Sequence, residues 1–256
     1  MLDLKTIESY YSEPLRPFKR NILREYLQYK ILEIIFNSDA GRKLSFIGGT
    51  CLRIAHEINR FSEDLDFDNL SLGKEEFIEL SDHIRKNLEL EGYIIDKKSV
   101  FKGAYRTYFR FLHLLFDQGL SSHKDELLMI PLDMEPHHYE FKPQTFILNK
   151  FDVFTGIFVT PAHILLSQKL FAFLNRKRPK GRDIYDIIFL FGKTEPDYEY
   201  LEEKVKIKDK DMLKKRLQER VSTLNLKELA VEIEPFLIKE SDRVKVESFG
   251  DLIRSF

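Results

Sequence analysis

Apolar residues recur at helical intervals from Phe18 to Phe36, where Ile22, Leu23, Tyr26, Leu27, Tyr29, Ile31, Leu32, Ile34 and Ile35 set the pattern. The Ser, Asp and Gly of Asn37 to Arg42 stop that helix in a turn. Lys43 to Ile47 is a short apolar strand ended by Gly48-Gly49. Thr50 to Ile58 predicts a helix, and Glu63 to Phe67 alternates as a strand. A second amphipathic helix is expected from Leu72 to Leu90, closed by Gly92. Tyr93 to Val100 and Tyr105 to Leu115 suit a meander turning at Lys102-Gly103. Leu127 to Met134 and Phe151 to Phe158 are further strands. Thr160-Pro161 marks a helix start, with Thr160 as cap. His163 to Leu174, Arg182 to Phe191 and most of Tyr198 to Phe256 then predict helices. The expectation is an α+β chain. Residues 1–158 form a mixed-sheet lobe with flanking helices, and residues 159–256 form a helical C-terminal lobe.

Composition narrows the class. Apolar residues make up 43% of the 256, enough for a sizeable core, and charged residues 32%, which implies much exposed helix. The net charge of −1 excludes a general polycation, so nucleic-acid contact would need a local basic patch. Two segments qualify: Lys97-Lys98 with Lys102, Arg106 and Arg110, and the run Arg176-Lys177-Arg178-Pro179-Lys180. The single cysteine, Cys51, rules out an intrachain disulfide framework and fits a reducing compartment. The first residues lack the apolar run of a signal peptide, and no stretch has the length of a membrane span, so a cytoplasmic protein without membrane contact is expected.

The candidate chemistry lies between Phe46 and Asp68. Gly48 and Gly49 join a strand to a helix, where absent side chains permit close approach and the first helical amides are unpaired donors suited to phosphate. The same joint is equally compatible with a tight turn. Thr50 can add a hydroxyl. Asp64 and Asp66, two apart on a strand, point to one face, and adjacent carboxylates are relieved by a hard divalent cation. An acidic edge strand facing water is the alternative, and Asp68 near the strand end can simply be solvated. Asp133, at the end of a strongly apolar strand, is the candidate third carboxylate, as ligand or as base, with Glu135 in reserve.

Lys169 lies on a helix whose neighbours are apolar. It either snorkels to water or neutralises phosphate. Asp183 and Asp186, three apart, share a helical face, and Asp183 also suits the helix dipole of a first turn. A zinc site at His137-His138 with His113 or His123 is a weaker alternative, because the spacing is wrong and no second cysteine helps.

Gly48-Gly49-Thr50, then Arg60-Phe61-Ser62-Glu63-Asp64-Leu65-Asp66-Phe67, then Lys169 and Arg182-Asp183-Ile184-Tyr185-Asp186 resemble, in order and spacing, the AbiEii/AbiGii family of nucleotidyltransferase toxins within the DNA polymerase β-like superfamily. The resemblance runs from about Phe46 to Phe191. It implies a nucleotidyltransferase-fold mixed sheet with a helical C-terminal lobe completing the active site, an NTP co-substrate, and Mg2+ or Mn2+. It implies a catalytic set of Asp64, Asp66, Asp133, Lys169, Asp183 and Asp186. It further implies that Asp64, Asp66 and Asp133 bind metal, and that Gly48, Gly49, Thr50, Ser62, Lys169 and Arg182 bind nucleotide. The expected activity is transfer of NMP to an acceptor hydroxyl, with RNA, tRNA above all, as acceptor, in the toxin of a toxin–antitoxin or phage-defence pair with a cognate antitoxin. A protein or small-molecule acceptor, or a metal-dependent phosphohydrolase or nuclease, is the alternative.

Overall fold

A computed structural model describes residues 2–136 and 138–255. The chain divides into two compact units, one of Met1–Ala55 with Ser62–Val159, the other of His56–Phe61 with Thr160–Phe256.

The first unit comprises α1 (Leu4–Ser9), α2 (Lys19–Phe36), β1 (Leu44–Ile47), α3 (Gly48–Ala55), β2 (Leu65–Asn69), α4 (Lys74–Leu90), β3 (Ile95–Lys102), β4 (Ala104–Phe111), α5 (Leu114–Asp117), β5 (Leu128–Pro136), β6 (Gln144–Lys150) and β7 (Val153–Val159). The strands form one seven-stranded mixed sheet in the order β3-β4-β5-β2-β1-β7-β6. β2 runs parallel to β5 and β1 parallel to β7, and the other neighbours are antiparallel. α2 packs on β7, and α4 on β3 and β4.

α2 departs from a simple amphipathic helix. Alongside its apolar stripe it buries Glu25, Gln28 and Lys30, so each polar group needs a partner. Glu25 accepts from Tyr11 Oη (2.8 Å), Arg53 Nε (2.8 Å) and Lys150 Nζ (2.9 Å). Burial opposes ionisation of Glu25, but Arg53 and Lys150 outweigh it and hold the carboxyl below its ordinary range. Lys30 pairs with Glu91 at 3.0 Å.

Several boundaries differ from the sequence pattern. β2 starts at Leu65, not Glu63, because its ladder with β1 runs from Ile47↔Asp66 to Leu44↔Asn69. Asp68 is therefore interior to the strand and buried, not solvated. The second strand of the meander stops at Phe111, where His113 takes a left-handed conformation before α5. β6 was not foreseen. Phe151, read from its aromatic character as the start of a strand, is instead the turn residue of the β6–β7 hairpin at φ +61°. Its ring packs against Tyr10, Tyr11, Tyr26 and Tyr29, so tertiary packing overrides local preference.

The second unit comprises α6 (Ala162–Asn175), α7 (Gly181–Phe191), α8 (Tyr198–Val205), α9 (Lys210–Val221), α10 (Leu226–Ile233), α11 (Arg243–Glu247) and α12 (Phe249–Ser255). The cap of α6 is Pro161 rather than Thr160, one residue later than its sequence suggests. α6 packs on α7 and α8, and α7 on α10 and α11. Phe173 meets Phe249 edge-on at 5.7 Å within the core. Residues 56–61 are held in this unit by Phe61 N donating to the Phe236 carbonyl (2.8 Å) and by a bridge from Arg60 to Leu237. Among the described residues no helix is long and apolar enough to cross a membrane.

Candidate active site

In the sheet unit, β1 ends at Ile47 and α3 begins at once with Gly48. Gly48 has φ +80°, which glycine alone adopts at low cost. Ile47 pairs with Asp66 across the β1–β2 ladder, so the Gly48 backbone lies directly against the Asp66 side chain. A Cβ on Gly48 would overlap that carboxylate. The absent side chain thus brings the first amides of a helix beside an acidic strand end. The buried Thr50 hydroxyl donates to the Asp64 carbonyl, so it fastens the approach to β2, where the sequence had suggested a donor for phosphate. Gln28 Nε2 donates to the carbonyls of Ser62 (3.1 Å) and Glu63 (3.0 Å), which fixes the same segment from α2.

Asp66 and Asp133 are register partners on the parallel strands β2 and β5, and Asp64 lies two residues before Asp66. Burial raises the Asp133 carboxyl above its ordinary range. Arg106 opposes that rise and the Asp64 charge adds to it. Arg106 holds Asp133 through both Nε and Nη2, the latter at 2.6 Å to Oδ2, and this pairing pushes the guanidinium upward. Asp133 lies within β5 opposite Asp66, and the nearby Asp64 charge opposes its ionisation, the kind of repulsion a divalent cation relieves. Both Asp133 oxygens are committed to Arg106. Among the described residues no group of three or more His, Cys, Asp or Glu side chains is arranged to hold a metal ion. His137, one member of the zinc alternative, lies outside the described residues.

In the helical unit, Asp186 of α7 is fully buried. Its Oδ1 accepts from Arg60 Nε at 2.7 Å, and its Oδ2 from Arg60 Nη2 at 2.7 Å and Lys169 Nζ at 2.8 Å. Burial opposes the negative charge, but Arg60 and Lys169 outweigh it and hold the carboxyl below its ordinary range. Asp183 is also buried. It accepts from the Lys180 amide (3.2 Å), capping α7, and pairs with Arg176 Nη1 at 2.6 Å. Arg182 stacks its guanidinium 5.6 Å from the Phe236 ring centre.

Of the residues singled out in the sequence, Gly48, Gly49, Thr50, Ser62, Asp64, Asp66 and Asp133 fall in the sheet unit. Lys169, Arg182, Asp183 and Asp186 fall in the helical unit. Three partners were missed as such. Gln28 could have been found as a polar residue inside an apolar helical run. Arg60 stands in the Arg-Phe-Ser segment, but nothing local tells which acid it meets. Arg106 was read only as part of a basic patch, and its position opposite Asp133 follows from the β4–β5 register.

The chain matches the family described as nucleotidyl transferase AbiEii toxin, type IV toxin–antitoxin system, over residues 30–251. No curated protein matches. Among solved structures it is similar to JHP933 from Helicobacter pylori, at 18% identity with 92% of each chain covered and a TM-score of 0.57. It is also similar to an H. pylori protein provisionally named a nucleotidyltransferase, at 18% identity, 96% of each chain and a TM-score of 0.58. At that identity the likeness establishes the fold.

Proposed function

The chain belongs to the AbiEii family of nucleotidyltransferase toxins and is a nucleotidyltransferase, and from that premise we propose that it transfers NMP from an NTP to a hydroxyl of RNA, most simply tRNA, with a divalent cation. The observation that carries the reading is the apposition of Gly48, at the start of α3, to the Asp66 carboxylate. Amides that suit phosphate and carboxylates that suit a cation then meet on one backbone joint.

In the transfer, the acceptor oxygen bonds to the α-phosphorus, the bond to the bridging oxygen of pyrophosphate breaks, and the acceptor proton is lost. When bound, Mg2+ or Mn2+ offsets charge on the triphosphate. The Gly48, Gly49 and Thr50 amides orient phosphate oxygens, and Asp64 and Asp66 hold the cation. Positioning and fixed charge supply most of the acceleration, as in other phosphoryl-group transfers. Burial raises Asp133, and because Arg106 occupies both of its oxygens, a proton-accepting role for it would require that pair to open. The exposed residues Lys177, Arg178 and Lys180 support an RNA acceptor, because charge concentrated in one loop of a near-neutral chain suits a phosphate backbone. The family description supports a cognate antitoxin, and the lone Cys51 agrees with action in the cytoplasm.

The test is transfer from α-labelled NTPs to tRNA, bulk RNA, protein and small hydroxyl acceptors, with and without divalent metal. Label on RNA with pyrophosphate release is the expected result. Label on protein or a small molecule overturns the RNA acceptor. Free NMP or cut RNA would instead indicate a hydrolase.

A further inference from the structure

Asp66, Asp133 and Arg106 stand on one rung of the sheet. Asp133 of β5 is the register partner of Asp66 on β2 and of Arg106 on β4. Register partners on neighbouring strands send their side chains to one face, so two acids and a base line up across three strands. Asp64, two residues before Asp66, adds a negative charge that acts on Asp133. The guanidinium meets Asp133 as a fork, with Nε donating to Oδ1 and Nη2 to Oδ2, the latter at 2.6 Å. Two parallel charge-assisted bonds hold the carboxylate in one orientation and use both of its oxygens.

The two partners differ in their freedom to leave. The Asp133 side chain is 14% exposed and that of Arg106 43%. A half-buried acid opposite another acid needs a positive partner, and burial already disfavours its charge. The base is long and reaches water, so opening a pair exposed to this extent costs little. Tyr108, two residues along β4, offers Arg106 a second resting place. Nη1 lies 3.4 Å from Tyr108 Oη, and the guanidinium carbon lies 6.0 Å from the ring centre.

We propose that Arg106 is a latch on the cation site. It neutralises Asp133 before a divalent cation binds, and a cation held by Asp64 and Asp66 gains Asp133 as a further ligand only as Arg106 swings out. Pairing and coordination compete for the same two oxygens. The latch keeps the acidic rung balanced as the chain folds and lowers its affinity for the cation. Linkage makes the exclusion reciprocal: loosening the fork tightens the cation, and binding the cation frees the guanidinium.

The inference rests on the divalent cation of the proposed function, and the experiment separates the two. Mn2+ binding is followed by electron paramagnetic resonance at low and at high salt, with neither nucleotide nor acceptor present. Arg106→Gln should bind Mn2+ about tenfold tighter than the parent, through loss of one competing charge-assisted pair, and should keep that gain at high salt. Removing a distant positive charge also favours a cation, but salt screens that effect away. Arg110→Gln, which opens the pair of Arg110 with Asp96 on the same strand, should bind like the parent. Asp66→Asn should bind more weakly. A second readout needs no variant and decides the matter if Arg106→Gln fails to fold: phenylglyoxal modification of the parent's arginines, mapped by mass spectrometry. Mn2+ should speed modification of Arg106 several-fold and leave Arg110 unchanged. Parent-like affinity in Asp66→Asn, or no Mn2+ binding by either the parent or Arg106→Gln, overturns the cation site and the latch with it. Weak binding by Asp66→Asn leaves the cation in place. In that case the latch is overturned by parent-like affinity in Arg106→Gln, by a gain that vanishes at high salt, or by an Arg106 whose reactivity ignores Mn2+.

Discussion

Gly48→Ala should damage the candidate site far more than it damages the fold. Two costs can be separated. Gly48 sits at φ +80°, where an L side chain costs roughly 1–2 kcal/mol. The added Cβ would also lie 2.9 Å from both Cβ and Cγ of Asp66, closer than packed carbons tolerate. Such overpacking costs roughly 1–3 kcal/mol when neighbours must shift. Gly103, in the β3–β4 turn, supplies the control. It has φ +78°, and nothing lies within 4 Å of the point a Cβ would occupy there, so Gly103→Ala carries the conformational cost alone. The difference between the two variants therefore isolates the clash with Asp66. At roughly 2–4 °C per kcal/mol for a chain of this size, Gly48→Ala should melt a few degrees below Gly103→Ala. Its turnover should fall by about two orders of magnitude, as expected when a site is displaced by an ångström, whereas Gly103→Ala should turn over like the parent. Thermal melts read by circular dichroism and labelled-NTP transfer measure both quantities. Equal melting points and equal turnover in the two variants would refute the apposition of Gly48 to Asp66 as the centre of the site.

Further outcomes follow from the same geometry. Asp66→Asn should retain the parent's circular dichroism and lose roughly 10³-fold or more in turnover at saturating Mg2+, because it removes a charge where a cation is expected; near-parent turnover would contradict the assignment. Neutralising Lys177, Arg178 and Lys180 together should raise the KM for RNA and flatten its salt dependence while leaving NTP affinity unchanged. Arg176 is left intact in that variant because it pairs with Asp183 at 2.6 Å. Stability should fall in acid. The folded-state carboxyls of Asp186 and Glu25 are held below their ordinary values by their cationic partners, so the unfolded chain takes up those protons first as pH drops. Their contribution is present above the unfolded values of ~4 and is lost as pH falls through the lower folded ones. A melting point that stays flat between pH 6 and pH 3 would count against both buried networks.

Much of this protein could be read locally. The helical repeat of Phe18 to Phe36, the Lys102-Gly103 turn, the helices at Ala162–Asn175 and Gly181–Phe191, and the Gly48-Gly49 joint before Asp64 and Asp66 each rest on residues within a few positions of one another. Side-chain period, turn chemistry and glycine's freedom act at that range, so the mixed α+β character was legible, whereas Asp64, read as a strand residue beside Asp66, precedes β2. What the sequence could not determine was which distant groups meet. The β1–β2 register buries Asp68, the β4–β5 register sets Arg106 on Asp133, the packing of α6 on α7 brings Lys169 onto Asp186, and the 56–61 segment, bridged to Leu237, brings Arg60 there. A buried charge is tolerable only with its partner in place. That partner is selected by the closing of long loops and the filling of a core, and the residue types alone do not encode it.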